Sequence, residues 1–191
     1  KALGVRILDA QVLGIGGFDT FQVKTTAGDF ETISVILATG SKRKAPSIPG
    51  IKEFEGRGVS YCAVCDAFFH RGGDVAVIGN GAYAVSEAEH LAGVVNSVTI
   101  LTDGKEMEAE IPENIKKDGR KISEITGQET VSEIVFEDGE TLSVSGVFIA
   151  MGTAGSADFG RKLGAVDPDG KWIVEENGAT MIPGLYAAGD C

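Results

Sequence analysis

The stretch Val75-Ala76-Val77-Ile78-Gly79-Asn80-Gly81-Ala82-Tyr83-Ala84 decides the fold, because an apolar run leads directly into a glycine-rich turn. Residues 75–78 predict a buried β-strand, and residues 97–101 predict the next one. Between them, small and apolar side chains recur at helical spacing, at Ala84, Val85, Ala88, Leu91 and Ala92, and Gly93 is a typical helix stop. A strand, helix and strand within about 30 residues predict a parallel pair with a right-handed crossover, which is half of a Rossmann-type sheet.

The glycine turn has the form Gly-x-Gly-x-x-Ala, which is typical of a site for the pyrophosphate of a dinucleotide. The first glycine permits the tight turn, and the second lets the backbone approach a pyrophosphate at the helix N-terminus. The candidate cofactor-binding residues are Gly79, Asn80, Gly81, Ala82 and Ala84. A plain tight turn without a ligand is the alternative, and the bulky Tyr83 would crowd the phosphates.

Cys62 and Cys65, separated by two residues and placed shortly before this strand, favour redox chemistry. A structural disulfide usually spans a longer loop. Zinc would need about four ligands, and the chain offers only Cys191, His70 and His90 besides the pair. Two ordinary buried cysteines are the remaining alternative.

The composition is that of a soluble globular chain and argues against two classes of partner. The chain has 191 residues and 43% hydrophobic content, enough for one good core or two small ones. No apolar run approaches the roughly 18 to 20 residues that cross a bilayer, so no membrane partner is expected. The net charge of −11 argues against nucleic acid. With three cysteines and no apolar stretch at the start, we expect a cytoplasmic protein.

Further runs predict two hairpins, a buried strand, a loop and a domain boundary. The hairpins are residues 21–26 with 32–37, turning at Gly28, and residues 131–136 with 141–144, turning at Asp138-Gly139. Residues 146–150 predict a buried strand, and residues 14–17 are interpreted as a loop because no helix pattern follows their glycines. Pro46, Pro49 and Gly50 favour an extended connection between domains.

Taken together, these motifs resemble the low-molecular-weight thioredoxin reductases, flavoproteins of the pyridine nucleotide-disulfide oxidoreductase superfamily. The matching segments, in the family's order, are residues 36–40, 56–60, 62–66, 68–69, 77–81, 148–152 and 184–190. The resemblance implies an α/β fold in which a shortened Rossmann-like pyridine nucleotide domain, residues 46–153, is inserted in an incomplete FAD-binding domain, residues 1–45 and 154–191.

The resemblance also implies a flavin-dependent disulfide reductase that acts on thioredoxin or a thioredoxin-like protein. Cys62 would attack the partner disulfide, Cys65 would meet the flavin, and Asp66 would be the acid. A helix N-terminal carboxylate favoured by the helix dipole is a second interpretation of Asp66, and it does not exclude the first. In the family, the two connections between the domains act as hinges.

Cofactor and partner contacts are implied for two further groups of residues. Ala38, Thr39, Gly40, Gly189 and Asp190 would contact FAD, with Asp190 on the ribityl chain, whereas Arg57, Phe68 and Phe69 would contact thioredoxin. Successive helical residues are about 100° apart, so at least one of the two phenylalanines is expected to be exposed on a helix that Asp66 starts. We also expect a homodimer for the full-length protein.

The chain departs from the family where NADPH would bind. Residues 102–110 carry four acidic side chains and one lysine in place of the family's His-Arg-Arg signature. Asp103 stands about 20 residues after the glycines, where a carboxylate bonds a ribose 2′-OH and repels a 2′-phosphate. The segment of residues 102–130 is too short and too polar for the usual next helix and strand of that domain.

The chain also begins after the family's own FAD glycine motif and stops before the family's closing helix, so we expect a fragment.

These departures resemble the ferredoxin-dependent flavin thioredoxin reductases. We therefore rank ferredoxin-like proteins and NADH equally as electron donors, and we rank NADPH below both. One alternative function is the reductase arm of an alkyl hydroperoxide reductase, which would carry an additional N-terminal thioredoxin-fold region. Another is a non-catalytic nucleotide-binding or redox-sensing module, which would show no turnover with a thioredoxin.

Overall fold

A computed structural model describes residues 4–17, 19–40, 46–152, 155–167 and 171–189. Its strands are β1 Val12–Gly16, β2 Phe21–Thr25, β3 Gly28–Thr32, β4 Val35–Leu37, β5 Val59–Ser60, β6 Asp74–Ile78, β7 Ser97–Leu101, β8 Lys116–Asp118, β9 Ile122–Gly127, β10 Val131–Phe136, β11 Thr141–Ser143, β12 Gly146–Ile149 and β13 Leu185–Ala187. Its helices are α1 Ala63–Asp66, α2 Ala82–Ala92 and α3 Ser156–Leu163, and a 3-10 turn, Ala67–His70, follows α1 directly.

The central sheet has five parallel strands in the order β5-β12-β6-β7-β8. Its middle strand β6 is buried on both faces, as expected for a parallel sheet that is covered on both sides. Val77 packs in the same apolar cluster as Ala88 and Leu91 of α2. On the opposite face, Ala76 and Ile78 pack with β10. The predicted Rossmann-type unit β6-α2-β7 is therefore confirmed.

The second face of this sheet is covered by an antiparallel sheet of three strands, in the order β11-β10-β9. Ile125, Ile134 and Phe136 supply its inward side chains. The predicted hairpin at Asp138-Gly139 is confirmed, because Gly139 has a φ of +87° and the Phe136 N–H donates to Glu140 O at 2.9 Å. The predicted buried strand at residues 146–150 is confirmed as β12.

The sequence predicts neither a helix nor a strand in the segment after β7. The prediction is wrong for the strand and right for the helix. Residues 102–115 contain no helix, but β8 follows them and pairs in parallel with β7, Thr99 opposite Lys116. β8 consists of Lys116, Lys117 and Asp118, and it forms the edge of the sheet. An edge strand with charged side chains carries no apolar pattern, so periodicity could not detect it.

The remaining strands form a second group. β1, β2 and β3 make an antiparallel sheet, and β4 pairs in parallel with β13. The loop predicted for residues 14–17 is wrong, because Gly14 and Gly16 lie within β1, where Leu13 and Ile15 point inward. The first hairpin also differs from its prediction. The strand that pairs with β2 after the turn is β3, whereas residues 35–37 form β4 and pair with β13.

Among the described residues, no strand of this second group pairs with the five-stranded sheet. The two groups pack through side chains instead, since Phe21, Phe159 and Leu185 share an apolar cluster with α2. The strands of the second group lie within residues 12–37 and 185–187, and β5 to β12 lie within residues 59–149. The domain limits proposed at residues 46 and 153 stay a prediction. No helix in the described part of the chain is long and apolar enough to cross a membrane.

Gly79 is required by close packing where β6 meets α2. A Cβ at this position would lie 2.3 Å from Ala150 O and 2.7 Å from Ala84 Cβ. We expect Gly79→Ala to lower the free energy of unfolding by about 1 to 3 kcal/mol, the usual cost of overpacking. Urea unfolding of the intact protein, followed by circular dichroism, measures this change.

Gly93→Ala is the matched control, because Gly93 has a φ of −76° and a Cβ there would have its nearest neighbour at 3.9 Å. Its effect should stay within about 0.5 kcal/mol. Equal losses in the two variants would contradict a packing requirement at Gly79.

Candidate active site

The two cysteines lie at the start of α1 and are joined by a disulfide bond. Cys62 is the N-cap residue of the helix, and its Sγ accepts a hydrogen bond from the Cys65 N–H at 3.2 Å. The same amide can stabilise a Cys62 thiolate once the disulfide is reduced. The helix begins at Ala63 because Cys62 caps it, so the expectation that Asp66 starts the helix is wrong.

The two sulfur-bearing residues differ in access. Cys62 is 3% exposed, whereas Cys65 is an exposed residue. Both line a cavity of roughly 570 Å³ together with Asp66, and Arg161 of α3 also lines it. In this arrangement a reaction partner can approach Cys65 directly, and Cys62 is covered.

Asp66 is held by a hydroxyl group that sequence reasoning did not single out. Ser60, at the end of β5, donates its Oγ–H to Asp66 Oδ2 at 2.6 Å and accepts the Cys62 N–H at 3.0 Å. The buried serine thus connects the carboxylate to the backbone of the first cysteine. Ser60 lies within the matching segment 56–60, which was the only signal for it in the sequence.

Two of the three residues expected to contact a partner protein, Arg57 and Phe69, line a second cavity, of roughly 540 Å³. Arg57, Asp66, Phe69 and His70 are among its lining residues. Phe68 and Phe69 are 69% and 83% exposed, so both aromatic side chains are exposed where at least one was expected. The Phe68 ring lies under the Arg71 guanidinium, 4.9 Å from ring centroid to Cζ.

His70 also lines this cavity, and its ring packs edge-on against Phe148 with the centroids 5.5 Å apart. Burial lowers the pKa of His70, against the smaller opposing effects of the Asp66 charge and a hydrogen bond with the Ser145 backbone. The imidazole is therefore biased toward its neutral form. It was considered from sequence only as a zinc ligand, and no group of three metal-binding side chains occurs among the described residues.

The glycine turn lies at the carboxyl end of β6, and Gly81 is the N-cap of α2 without a side chain that caps the helix amides. Glu108, from the loop after β7, crosses the turn. Its N–H donates to Asn80 O at 2.7 Å, and its Oε1 accepts the Asn80 Nδ2–H at 3.2 Å. Its Oε2 lies 4.0 Å from the position of a Cβ built on Gly81.

A carboxylate therefore stands at the N-terminus of α2, the place where a dinucleotide fold holds a pyrophosphate. Two anionic groups in one position repel each other, so the turn as arranged does not fit a pyridine nucleotide. Ala82 begins the helix there, and Ala84 is fully buried against Gly79, which gives it a packing role. Sequence reasoning counted Glu108 among the acidic residues of the segment but did not predict its contact with Asn80.

Asp103 follows β7 by two residues and has a left-handed backbone with a φ of +51°. Its Oδ1 accepts the Ile122 N–H at 2.9 Å, which connects the loop to the start of β9. One carboxylate oxygen is thus already used within the chain. The proposed contact of Asp103 with a ribose 2′-OH stays a prediction.

The residues expected to contact FAD meet at one edge of the second group of strands. Ala38, Thr39 and Gly40 follow β4, and Gly189 lies two residues after β13. These two strands are parallel neighbours, and the Ala188 N–H donates to Leu37 O at 2.9 Å. Backbone with little side chain at the carboxyl ends of adjacent parallel strands fits a cofactor. Asp190 lies outside the described residues.

Residues 3–191 match the family described as "Pyridine nucleotide-disulphide oxidoreductase". A thioredoxin reductase of Aquifex aeolicus is 37% identical over 210 aligned positions, which cover 100% of this chain and 64% of that protein. The chain spans 33 to 64% of the length of the first curated relatives it matches, which also include proteins named NADH dehydrogenase. Alkyl hydroperoxide reductase F subunits match at 31 to 33% identity.

Solved structures agree with this relationship. The atypical thioredoxin reductase TRi of Desulfovibrio vulgaris Hildenborough is similar with a TM-score of 0.89 and 38% identity, over 100% of this chain and 67% of that one. A ferredoxin-flavin thioredoxin reductase of Clostridium acetobutylicum is similar with a TM-score of 0.63 and 30% identity, over 100% of this chain and 66% of that one.

The position of Glu108 predicts how the protein responds to dinucleotides. We expect the intact protein to bind NADPH weakly and no better than NADH. Glu108→Ala should strengthen the binding of both by about fivefold, because removing a charge at a helix terminus is worth about 1 kcal/mol. Isothermal titration calorimetry with each nucleotide measures the affinities.

Glu110→Ala, which removes an exposed acid from the same loop, is the control and should change neither affinity. A micromolar dissociation constant for NADPH in the unaltered protein, tighter than that for NADH, would overturn this interpretation of the loop.

Proposed function

Because the chain belongs to the pyridine nucleotide-disulphide oxidoreductase family, we propose that the protein is a flavin-dependent disulfide reductase that reduces thioredoxin or a thioredoxin-like protein. The observation that carries the proposal is the disulfide of Cys62 and Cys65, placed at a helix start with Asp66 beside it. Exposed disulfides are typically the labile or catalytic ones, and a neighbouring acid can protonate a leaving thiolate.

The chemistry follows from these three residues. In the reduced protein, the Cys62 thiolate attacks one sulfur of the partner disulfide, a mixed disulfide forms, and the second partner sulfur leaves as a thiolate that takes a proton from Asp66. The Cys65 thiolate then attacks Cys62 Sγ. This step re-forms the Cys62–Cys65 disulfide and releases the first partner sulfur as a thiolate, which takes its proton from solvent, so that the partner leaves as a dithiol.

FAD, held in part by Ala38, Thr39, Gly40, Gly189 and Asp190, would supply the two electrons that reduce the disulfide again. Cys65 is the member of the pair that such a group can reach, since Cys62 is covered. Asp66 keeps its place through the bond from Ser60, which leaves the other carboxylate oxygen available to the leaving sulfur.

The donor that reduces the flavin is proposed to be a ferredoxin-like protein. NADH and NADPH both carry a pyrophosphate, and Glu108 stands where that group would bind. The acidic segment adds a specific penalty for the 2′-phosphate of NADPH, so NADPH ranks last. A protein donor needs no site at the glycine turn and is unaffected by Glu108.

The alkyl hydroperoxide reductase arm remains the second candidate, and relatives with that name favour it. It shares the dithiol chemistry, and its partner would be a thioredoxin-fold region of its own chain. Activity on a separate thioredoxin protein distinguishes the two functions.

We further propose a cytoplasmic location, where thiols stay reduced. We also propose that the intact protein is a homodimer, and analytical ultracentrifugation would determine its oligomeric state.

A trapping experiment tests the order of the two cysteines. In the intact protein, Cys65→Ser leaves Cys62 as the attacking thiol and removes the residue that would resolve the mixed disulfide, so a covalent complex with thioredoxin should accumulate. Non-reducing electrophoresis and mass spectrometry detect the complex. If Cys62→Ser accumulates it instead, the two roles are reversed, and if neither variant does, the proposed substrate is wrong.

Phe69 is the residue through which we test docking, because it is the more exposed aromatic side chain and lines the cavity beside Arg57. Phe69→Ala should lower kcat/KM for thioredoxin by about 30-fold, the rate equivalent of a 2 kcal/mol interface anchor. Reduction of the flavin by its donor should be unchanged.

Phe68→Ala serves for comparison, since the Phe68 ring lies under the Arg71 guanidinium and does not line the cavity, and a smaller loss is expected. If both half-reactions fall together in Phe69→Ala, the side chain has a structural role and the docking assignment fails.

A further inference from the structure

A buried ion pair joins α2 to α3 next to the dithiol. Lys162 Nζ donates to Glu87 Oε1, and the two side chains are only 7% and 2% exposed. The other oxygen, Glu87 Oε2, accepts the Ala63 N–H at 3.0 Å. Lys162 also lies over the Tyr83 ring, 5.7 Å from its centroid. One carboxylate thus contacts both the first amide of the dithiol helix and a lysine of α3.

The two partners belong to different parts of the chain. Glu87 and the dithiol both lie between β5 and β7, in the part that contains the five-stranded sheet. Lys162 lies on α3, which follows β12, the last strand of that sheet in the sequence. Any separation of α3 from the dithiol helix therefore has to break this ion pair.

Such a separation is needed for Cys62 to react with a protein. Arg161, Gly164 and Val166, from α3 and the turn after it, line the same cavity as Cys62, which is 3% exposed. Cys62 Sγ has to lie in line with the S–S bond of the partner, and a residue that is only 3% exposed is out of reach of a disulfide held on a folded protein. The proposed attack by Cys62 therefore requires the cavity to open.

We propose that Glu87 and Lys162 are positioning residues that set how often Cys62 becomes accessible, an inference that rests on the proposed function of the dithiol. With both charges present, the closed arrangement is stabilised by the pair. If one partner is removed, the other is left buried and uncompensated, a state that is strongly unfavourable. Opening returns the remaining charge to water, so the loss of either partner shifts the population toward the open arrangement.

The same interface offers a matched comparison. Lys24 of β2 and Glu89 of α2 also connect the two parts, with Lys24 Nζ 3.4 Å from Glu89 Oε2, but their side chains are 47% and 46% exposed. An exposed pair contributes little because water and salt screen it. Lys24→Met therefore removes a lysine that bridges the same two parts without leaving a buried charge.

The experiment measures alkylation of Cys62 by iodoacetamide in the intact, reduced protein that carries Cys65→Ser. Lys162→Met should raise the rate about tenfold, and Lys24→Met should change it less than twofold. Glu87→Gln keeps an acceptor for the Ala63 N–H while it leaves Lys162 uncompensated, so it should raise the rate as well. Rates are compared at the alkaline plateau of their pH profiles, where the thiol is fully ionised and only access differs.

The double variant Glu87→Gln with Lys162→Met separates charge from packing. With both charges removed, nothing buried is left uncompensated, so its alkylation rate should fall below that of either single variant. A rate at least as high as the product of the two single effects would show general loosening and overturn the proposal. Unchanged rates in both single variants would overturn it as well. If Lys162→Met does not fold, as judged by its melting temperature, Glu87→Gln decides the question.

Failure of this proposal is distinguishable from failure of the proposed function. Alkylation reports access to Cys62 without any partner protein, whereas the mixed disulfide with thioredoxin reports the function. Alkylation rates in the predicted order without any trapped thioredoxin would support the role of the ion pair and contradict the substrate. Trapped thioredoxin with unchanged alkylation rates would support the proposed substrate and contradict the role of the ion pair.

Discussion

The arrangement of the active site depends on one buried hydrogen bond, from the Ala63 N–H to the Glu87 carboxylate. The first amides of a helix have no partner within the helix, and an amide buried without an acceptor is costly. Ala63 is fully buried, so water cannot supply the acceptor. The dithiol helix can begin in the interior only because a carboxylate on α2 meets it there. That carboxylate in turn needs a cation, which α3 provides.

The glycine turn has a second carboxylate near a helix start. The amides at the N-terminus of α2 attract an anion, and in this protein Glu108, from the loop after β7, bonds to Asn80 and places its carboxylate beside that terminus. The turn keeps the close packing of Gly79 against Ala84, which the fold needs. Its shape can therefore persist without a bound phosphate, which separates the structural value of the motif from its function as a binding site.

Sequence reasoning succeeded where a local pattern reports directly on burial. The continuous apolar run of β6 and the helical spacing of α2 each result from packing against a core, so the Rossmann-type unit could be predicted. β1 was missed because its glycines resemble a turn, although Leu13 and Ile15 still alternate inward. β8 was missed because an edge strand needs no apolar residue. Contacts such as Ser60 with Asp66, Glu87 with Ala63 and Glu108 with Asn80 depend on how separate elements meet, and no periodicity encodes them.

The pairing of β4 with β13 places Val35 beside Leu185, 150 positions apart in the sequence. Closing so long a loop in an unfolded chain costs more conformational entropy than closing a short one. The residues between them include the five-stranded sheet, which brings the two ends of its own segment together once it forms. Contacts over long sequence separations also slow folding. The part that contains the five-stranded sheet should therefore fold first and act as a template that brings β4 and β13 together, so that damage to its core would delay the pairing of these two strands as well.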